Sequence, residues 1–261
     1  PYVFVTLSFS DWYQLPVLAE LVASKGATSA YISYIADLHG IEYSGVAGIE
    51  FPKQGIDVVG LKSLPPDIKD LSPVIKDADA SGADVFCCFA YPDQNMPAFG
   101  TSIELGYNPN AWIGGPGVNF GFYHTAFGPM VEGAMGFTCF ARGQTPELDE
   151  LADILYEGKP EEIQDWWGHP FYWAGLDMWK GAIEKAGTLD QEVIRDVIAS
   201  ASADDPVNTV LGPTWFENGL LAKEAHAGEI GQWINGVFEV VGPVDKATAE
   251  LVYPKPPWAT G

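Results

Sequence analysis

The chain has 261 residues, 47% of them hydrophobic, with 13 Lys and Arg against 35 Asp and Glu. That length and apolar content can bury a substantial core and exclude intrinsic disorder. The net charge of −22 repels nucleic acid and anionic lipid, which removes both as partners, and suits an acidic surface in a salty or extracytoplasmic setting.

The chain opens on PYVFVTLSFSDWYQ, a strand running into a helix, where a natural amino terminus rarely starts; a fragment or a processed chain is expected. No signal peptide opens it, and no apolar run approaches the ~18 residues of a membrane span. Short apolar runs, rich in β-branched and aromatic residues, then recur at 29–36, 56–61, 83–90, 111–115 and 134–140. Runs of this kind are expected of buried parallel strands. Helical patterns lie between them, over 11–24 (Leu15, Leu18, Leu21 and Val22 on one face), 40–51, 70–80 and 93–105, the last closing at Gly106. Alternating strand and helix predicts right-handed βαβ crossovers and a doubly wound sheet.

From about residue 145 the texture changes. Thr145 is placed to cap a helix whose face is Leu148, Leu151, Ile154 and Leu155. PEEIQDWWGHP interrupts it. A long helix follows, with Phe171, Ala174, Gly175, Met178, Ala182 and Ile183 on one stripe, ending at Gly187, and another spans 190–201. One-sided helices need a sheet to cover, and this stretch has no strand of its own before NTVLGPTWF at 208–216; part of a second lobe is therefore expected outside the chain. Asn235-Gly236 marks a type I′ hairpin between QWI and VFEVV. The tail YPKPPWATG is expected to lie extended over the surface.

Cys87, Cys88 and Cys139 sit among apolar neighbours, and an odd count leaves a thiol unpaired; small buried hydrophobes is the reading that follows. The loop WIGGPGVNFG has the spacing Gly115-x-Gly117-x-x-x-Gly121, one residue too long for a dinucleotide fingerprint, and it lacks the G-K-[ST] of a phosphate loop. It is expected to give clearance to a solute that is not a phosphate, its glycines letting backbone amides approach. His39, His124, His169 and His226 are scattered without metal-ligand spacing, and no G-x-S-x-G elbow occurs, so neither a metal, a cofactor nor a catalytic residue is expected. Polar and aromatic residues gather instead after three strands: Asp37-Leu38-His39-Gly40, Tyr91-Pro92-Asp93, and Pro116-Gly117-Val118-Asn119. In a doubly wound sheet these turns open on one edge, where ligands bind.

Taken in register, these features resemble the type I periplasmic substrate-binding proteins of the branched-chain amino acid class, which feed ABC importers. YVFVTLSFSDWYQ is similar to the crossover strand and opening helix of that family's second lobe. YIADLHG stands where the family has an Asp before Tyr-Gly. DLSPVIKDADASGADVFCCFAYPDQ and WIGGPGVN are similar to its following helix, strands and ligand loops, YWAGLDMWKGAIEKAG to a first-lobe helix that returns late, and TVLGPTWFENG and GQWINGVFEVVGP to its closing strands.

The resemblance implies an α/β fold of two lobes with doubly wound parallel sheets, one lobe incomplete in this chain. Residues 1–140 would form the second lobe, 141–225 the carboxyl-terminal part of the first, and 226–261 the return to the second lobe and the tail. It implies solute clamped between lobes that hinge near Ser10 and Asp11. His39 falls where the family often has a ligand-contacting Tyr, and Ala90 and Tyr91 fall at a turn that touches the ligand. Pro116 falls where amino-acid binders place a Glu for the ligand's ammonium; Asp93 or Asp37 would have to substitute. Gly117 and Asn119 complete that loop, and Trp167, His169 and Phe171 stand at the rim of the first lobe. The implied partners are a small organic solute (an amino acid, aromatic acid or amide), a membrane permease and the missing amino-terminal segment, and the implied location is periplasmic or extracellular, including a cell-surface lipoprotein. The same fold serves ligand-sensing regulators and receptors, which stands as the alternative, with an α/β enzyme acting through Asp37 or His39 as a third reading.

Overall fold

Val85–Phe89, the strand VFCCF, is buried at every position, as a strand covered on both faces must be. Successive side chains alternate between faces, so the vicinal cysteines part company: Cys87 joins one buried cluster with Leu15, Phe51 and Ile113, and Cys88 joins the other with Ile75, Phe99 and Trp112. The rest of the architecture is built around this central strand. The computed structural model describes residues 2–6, 11–138 and 140–258; Ser10 and Cys139 lie outside the described residues.

The first half alternates α1 (Asp11–Ser24), β1 (Ser29–Ile35), α2 (Leu38–Lys53), β2 (Asp57–Leu64), α3 (Ser72–Ser81), β3 (Val85–Phe89), α4 (Pro92–Leu105), β4 (Ala111–Gly114), α5 (Gly121–Phe127) and β5 (Met135–Thr138). Three helices follow, α6 (Pro146–Tyr156), α7 (Gly168–Ala186) and α8 (Gln191–Ser200). Then come the short hairpins β6 (Val207–Thr209) with β7 (Gly212–Thr214) and β8 (Phe216–Glu217) with β9 (Leu220–Leu221), and a longer one, β10 (Glu229–Ile234) with β11 (Val237–Gly242). One seven-stranded sheet runs β11-β10-β5-β4-β3-β1-β2. The five strands from β2 to β5 are parallel, and β10 returns antiparallel to β5, pairing Glu229 with Thr138. Parallel neighbours need long crossovers, and α2, α3 and α4 supply them.

Helix ends follow the local chemistry. The Asp37 carboxylate caps α2 by accepting from the Gly40 N–H at 3.0 Å, and the Thr145 hydroxyl caps α6 by accepting from Leu148 at 3.2 Å. Gly106 and Gly187 close α4 and α7 with φ of 72° and 63°, the left-handed conformation that glycine adopts without penalty. Asn235 and Gly236 both have positive φ, 53° and 77°, as a type I′ turn requires.

Four regions depart from the sequence expectation. Gly121, read as the last residue of the glycine loop, instead opens α5 (Gly121–Phe127), a helix without a side-chain cap that the sequence reading did not assign. The apolar run at 208–216 folds back at Gly212 (φ 95°) into two short strands rather than one. Val5 pairs with Leu220 beside the helical segment, so the chain start is attached there and not to the seven-stranded sheet. The tail does not simply lie on the surface: Lys255 is buried, its ammonium donating to Asn108 and standing over the Trp258 ring.

Helix α7 carries two apolar stripes. Phe171, Ala174, Met178 and Ala182 are buried. Tyr172, Leu176 and Trp179 are exposed on another face, and with Phe4, Ile194, Ile198 and Phe216 they border an apolar groove of about 520 Å³. No helix of the described residues is long and apolar enough to cross a membrane.

Candidate functional site

Parallel strands deliver their following loops to one edge of the sheet. Here those loops meet around a cavity of about 220 Å³ lined by His39, Tyr43, Tyr91, Pro116, Phe137 and Trp167. His39 lies in the first turn of α2 and Tyr43 one turn later on the same face. Tyr91 precedes α4, Pro116 follows β4, Phe137 lies in β5, and Trp167 precedes α7. Five stretches of chain, the last far away in sequence, thus supply one wall each or share one.

The walls are held by ring contacts and by capping bonds. His39 stacks on Tyr91 with centroids 5.1 Å apart and tilts against Tyr43 at 4.7 Å. Tyr43 meets Phe137 edge-on at 5.1 Å and donates its hydroxyl proton to Gln14 Oε1 at 3.0 Å. Trp167 stacks on Phe120 at 6.4 Å, and its backbone N–H donates to Asp165 Oδ1 at 2.8 Å, as does that of Gly168 at 2.7 Å. Asn95 ties two of the loops together, donating to the Ala90 carbonyl and, at 3.4 Å, to that of Pro116. Burial is the main cause that holds His39 below the usual imidazole value, against the pull of Asp37 and Glu42; burial first, then the charge of Asp37 and a bond to it, raises the Tyr91 hydroxyl.

Of the residues expected at the site, His39, Tyr91, Pro116 and Trp167 line this cavity. The others stand behind or beside it. Asp37 is engaged in capping α2, and its charge helps raise the Tyr91 hydroxyl. Ala90 is buried and faces the Asn95 amide. Asp93 is exposed in the first turn of α4. His169 Nδ1 bonds the Tyr156 hydroxyl at 2.9 Å, and Phe171 is buried edge-on to His226. Asp11 opens α1, largely buried, its carboxyl raised chiefly by burial.

The glycine loop serves a different purpose from the one expected. The Gly115 N–H donates to the Cys88 carbonyl and that of Gly117 to Asn119 Oδ1, so both amides are already used within the protein. A Cβ on Gly115 would sit 2.4 Å from the Ala90 carbonyl oxygen. Gly115 lets two loops pack backbone against backbone, and Gly117 makes room for the Pro92 ring, which brings Pro116 to the cavity.

Tyr43 and Phe137 were not expected at the site. Tyr43 follows His39 at helical spacing, and Phe137 belongs to the fifth strand of the same edge; carrying the strand-end rule one strand further and one helical turn along would have found both. A second polar cluster joins the sheet to the helical segment. Glu229 is 2% exposed; it accepts from Gln144 Nε2 at 3.2 Å and lies 4.0 Å from His226 Nε2. Burial pushes its carboxyl up to about 8. Among the described residues, no group of three or more His, Cys, Asp or Glu could hold a metal ion.

A model of the periplasmic binding protein family matches residues 1–232. The Leu/Ile/Val-binding protein homolog 7 of Brucella melitensis is 24% identical over 209 residues, covering 77% of this chain and 51% of that protein; the chain spans about half the length of that curated relative. Two solved structures share the fold. A solute-binding protein of an ABC transporter from R. palustris, in complex with 4-hydroxybenzoate, has a TM-score of 0.76 at 17% identity, over 99% of this chain and 69% of that one. A leucine-binding protein from Thermotoga maritima has a TM-score of 0.70 at 16% identity, over 88% and 64%.

Proposed function

From the premise that the chain belongs to the periplasmic binding protein family, we propose that it captures a small organic solute (an amino acid, aromatic acid or amide) for an ABC importer outside the cytoplasm. The observation that carries this reading is the meeting of His39, Tyr91, Pro116 and Trp167, from four separate parts of the sequence, around one cavity at the carboxyl edge of the sheet. The leucine-binding relative and the 4-hydroxybenzoate complex mark the solute classes to try first.

In this reading the sheet-bearing residues up to 140 and 226–261 form one lobe, and 141–225 belong to the other, together with the chain start, whose Val5 pairs with Leu220. The exposed stripe of Tyr172, Leu176 and Trp179 on α7 then receives the remainder of the first lobe, as an apolar groove of this size calls for a covering partner. Closure occurs about Ser10–Asp11 and the two other points where the chain passes between lobes, near 140 and 226, and a permease receives the closed form. Trp167, from the helical segment, already touches the cavity from across those crossovers, as a closing jaw would.

The test is ligand-induced thermal shift of the full-length protein against a panel of amino acids, aromatic acids and amides. A binder with a dissociation constant a hundredfold below its concentration stabilises the fold by about 2.7 kcal/mol, a shift of several degrees. A panel that produces no shift overturns the proposal.

A further inference from the structure

Residues 157–165 leave the helical segment and lie on the sheet-bearing part of the chain. The excursion starts after α6 at Gly158, whose φ of 69° turns the chain back. It is closed at its base, where the Tyr156 hydroxyl accepts from the Asp165 N–H at 3.1 Å. A loop whose ends are tied in this way moves as one piece. The Thr138 hydroxyl, at the end of β5, donates to the Trp166 carbonyl at 2.7 Å and fixes that base. The tip reaches α5. There the Gly121 N–H donates to the Gln164 carbonyl at 2.8 Å, Phe120 pairs with Asp165, and His124 Nδ1 meets the Glu161 carboxylate at 2.7 Å. His124 is itself held flat on the Trp233 ring, with centroids 5.2 Å apart.

The tip is seated closely but held lightly. Helix α5 can receive it because residue 121 is glycine: a Cβ there would collide with the Glu161 carbonyl oxygen. None of residues 161–163 is buried, and Ile163 is 43% exposed, so a few polar contacts, and no apolar side chain of these three, hold the tip down. Contacts of that kind open locally at far less cost than the fold as a whole. Trp167 follows directly, stacked on the same Phe120, and forms one wall of the cavity. In the two-lobe reading the loop and the surface under it belong to opposite lobes. Resting on that reading and on the cavity as the solute site, we infer that residues 157–165 are a clasp: docked on α5, it fastens the lobes and holds Trp167 in place before any solute arrives, and solute enters and leaves when it lifts. The clasp thus biases the free protein toward the closed arrangement. Gly121, His124 and Glu161 are its positioning residues, and none of them lines the cavity.

Amide exchange of the solute-free, full-length protein tests this. The wild type should protect the amide of residue 121 and those of 163–165. In Gly121→Ala the added methyl keeps the tip off α5, while α5 itself loses nothing, because alanine is the better helix former. Exchange at these amides should rise roughly tenfold or more, with β3 and β4 exchanging as in the wild type. Glu161→Ala, which removes only the ion pair, should raise it about two- to fivefold. With fluorotryptophan incorporated, the fluorine resonance of Trp167, assigned through Trp167→Phe, should move toward its solvent-exposed position in Gly121→Ala. Should Gly121→Ala fail to fold, the wild type and Glu161→Ala decide. Unprotected amides in the wild type, exchange that neither variant raises, or loosening that spreads to β3 and β4 overturns the clasp. So does a Trp167 resonance that stays in place while the loop exchanges freely. No solute enters the measurement, so a clasp that fails leaves solute capture standing, and a solute panel without a binder overturns solute capture without touching the exchange result.

Discussion

Replacing Glu229 by Gln should make the fold more stable in alkaline buffer. The carboxyl is 2% exposed and is raised from an ordinary 4.5 to about 8, with burial the dominant cause. Lys246 and the Gln144 amide pull it down and Asp245 pushes it up, and none offsets the loss of water. His226 gives no cationic relief: its Nδ1 accepts from the Gly228 N–H at 3.0 Å, which places the ring proton on Nε2, toward Glu229. The folded chain therefore holds a proton on Glu229 between about pH 4.5 and 8 that the unfolded chain has released. Stability is fully present below pH 4.5 and is lost as pH rises through about 8. The gap of about 3.5 units corresponds to about 5 kcal/mol at most. Gln keeps the shape and both hydrogen-bonding functions but carries no charge. Urea denaturation of wild type and Glu229→Gln at pH 6 and pH 9 reads the difference directly, since other titrating groups cancel between the two proteins. The variant should gain roughly 2–3 kcal/mol on the wild type between those pH values, because only the span from pH 6 to about 8 contributes. A variant whose deficit or advantage is the same at both pH values refutes a buried proton at this position.

Two further substitutions probe the frame around the site. Phe99 is fully buried and its ring meets those of Trp112, Tyr123, Phe127 and Trp258. Phe99→Ala should cost roughly 3–5 kcal/mol in denaturant melts, and a loss below about 1 kcal/mol would show that these rings do not form a packed unit. In Gly40→Ala the new methyl would meet the Ile35 carbonyl oxygen at 2.0 Å, so the start of α2 must shift away from the end of β1. Destabilisation of about 1–3 kcal/mol is expected, together with faster amide exchange over 37–43; unchanged exchange there would contradict the clash.

The parallel half of the fold was legible because a strand buried on both faces is written as an uninterrupted apolar run, and Val85–Phe89 is one. The convergence of His39, Tyr91 and Pro116 was legible for a related reason: once strand direction is known, the following loops must share an edge, whatever their side chains. Trp167 came instead through the resemblance, since nothing local ties residue 167 to a run of parallel strands that ends at residue 138. What stayed hidden depends on distance in the chain. Glu229 reads as an ordinary surface acid until Gln144, 85 residues earlier, is seen to donate to it. Helix α5 was concealed by its own opening, because Gly121 looks like loop punctuation. In fact it is glycine because a Cβ there would strike the Glu161 carbonyl oxygen at 1.9 Å.

The two adjacent thiols of β3 offer a use of their own. Cys87 looks toward the layer of α1 and α2 and Cys88 toward the layer of α3 and α4, and both are inaccessible in the folded chain. A thiol reagent reaches either one only when the helices above it lift. With Cys139 replaced by Ala and each of the pair then replaced in turn, the labelling rate of the survivor becomes a clock for one side of the sheet. A pair of such clocks, one residue apart, would report whether the two coverings come loose together or one before the other.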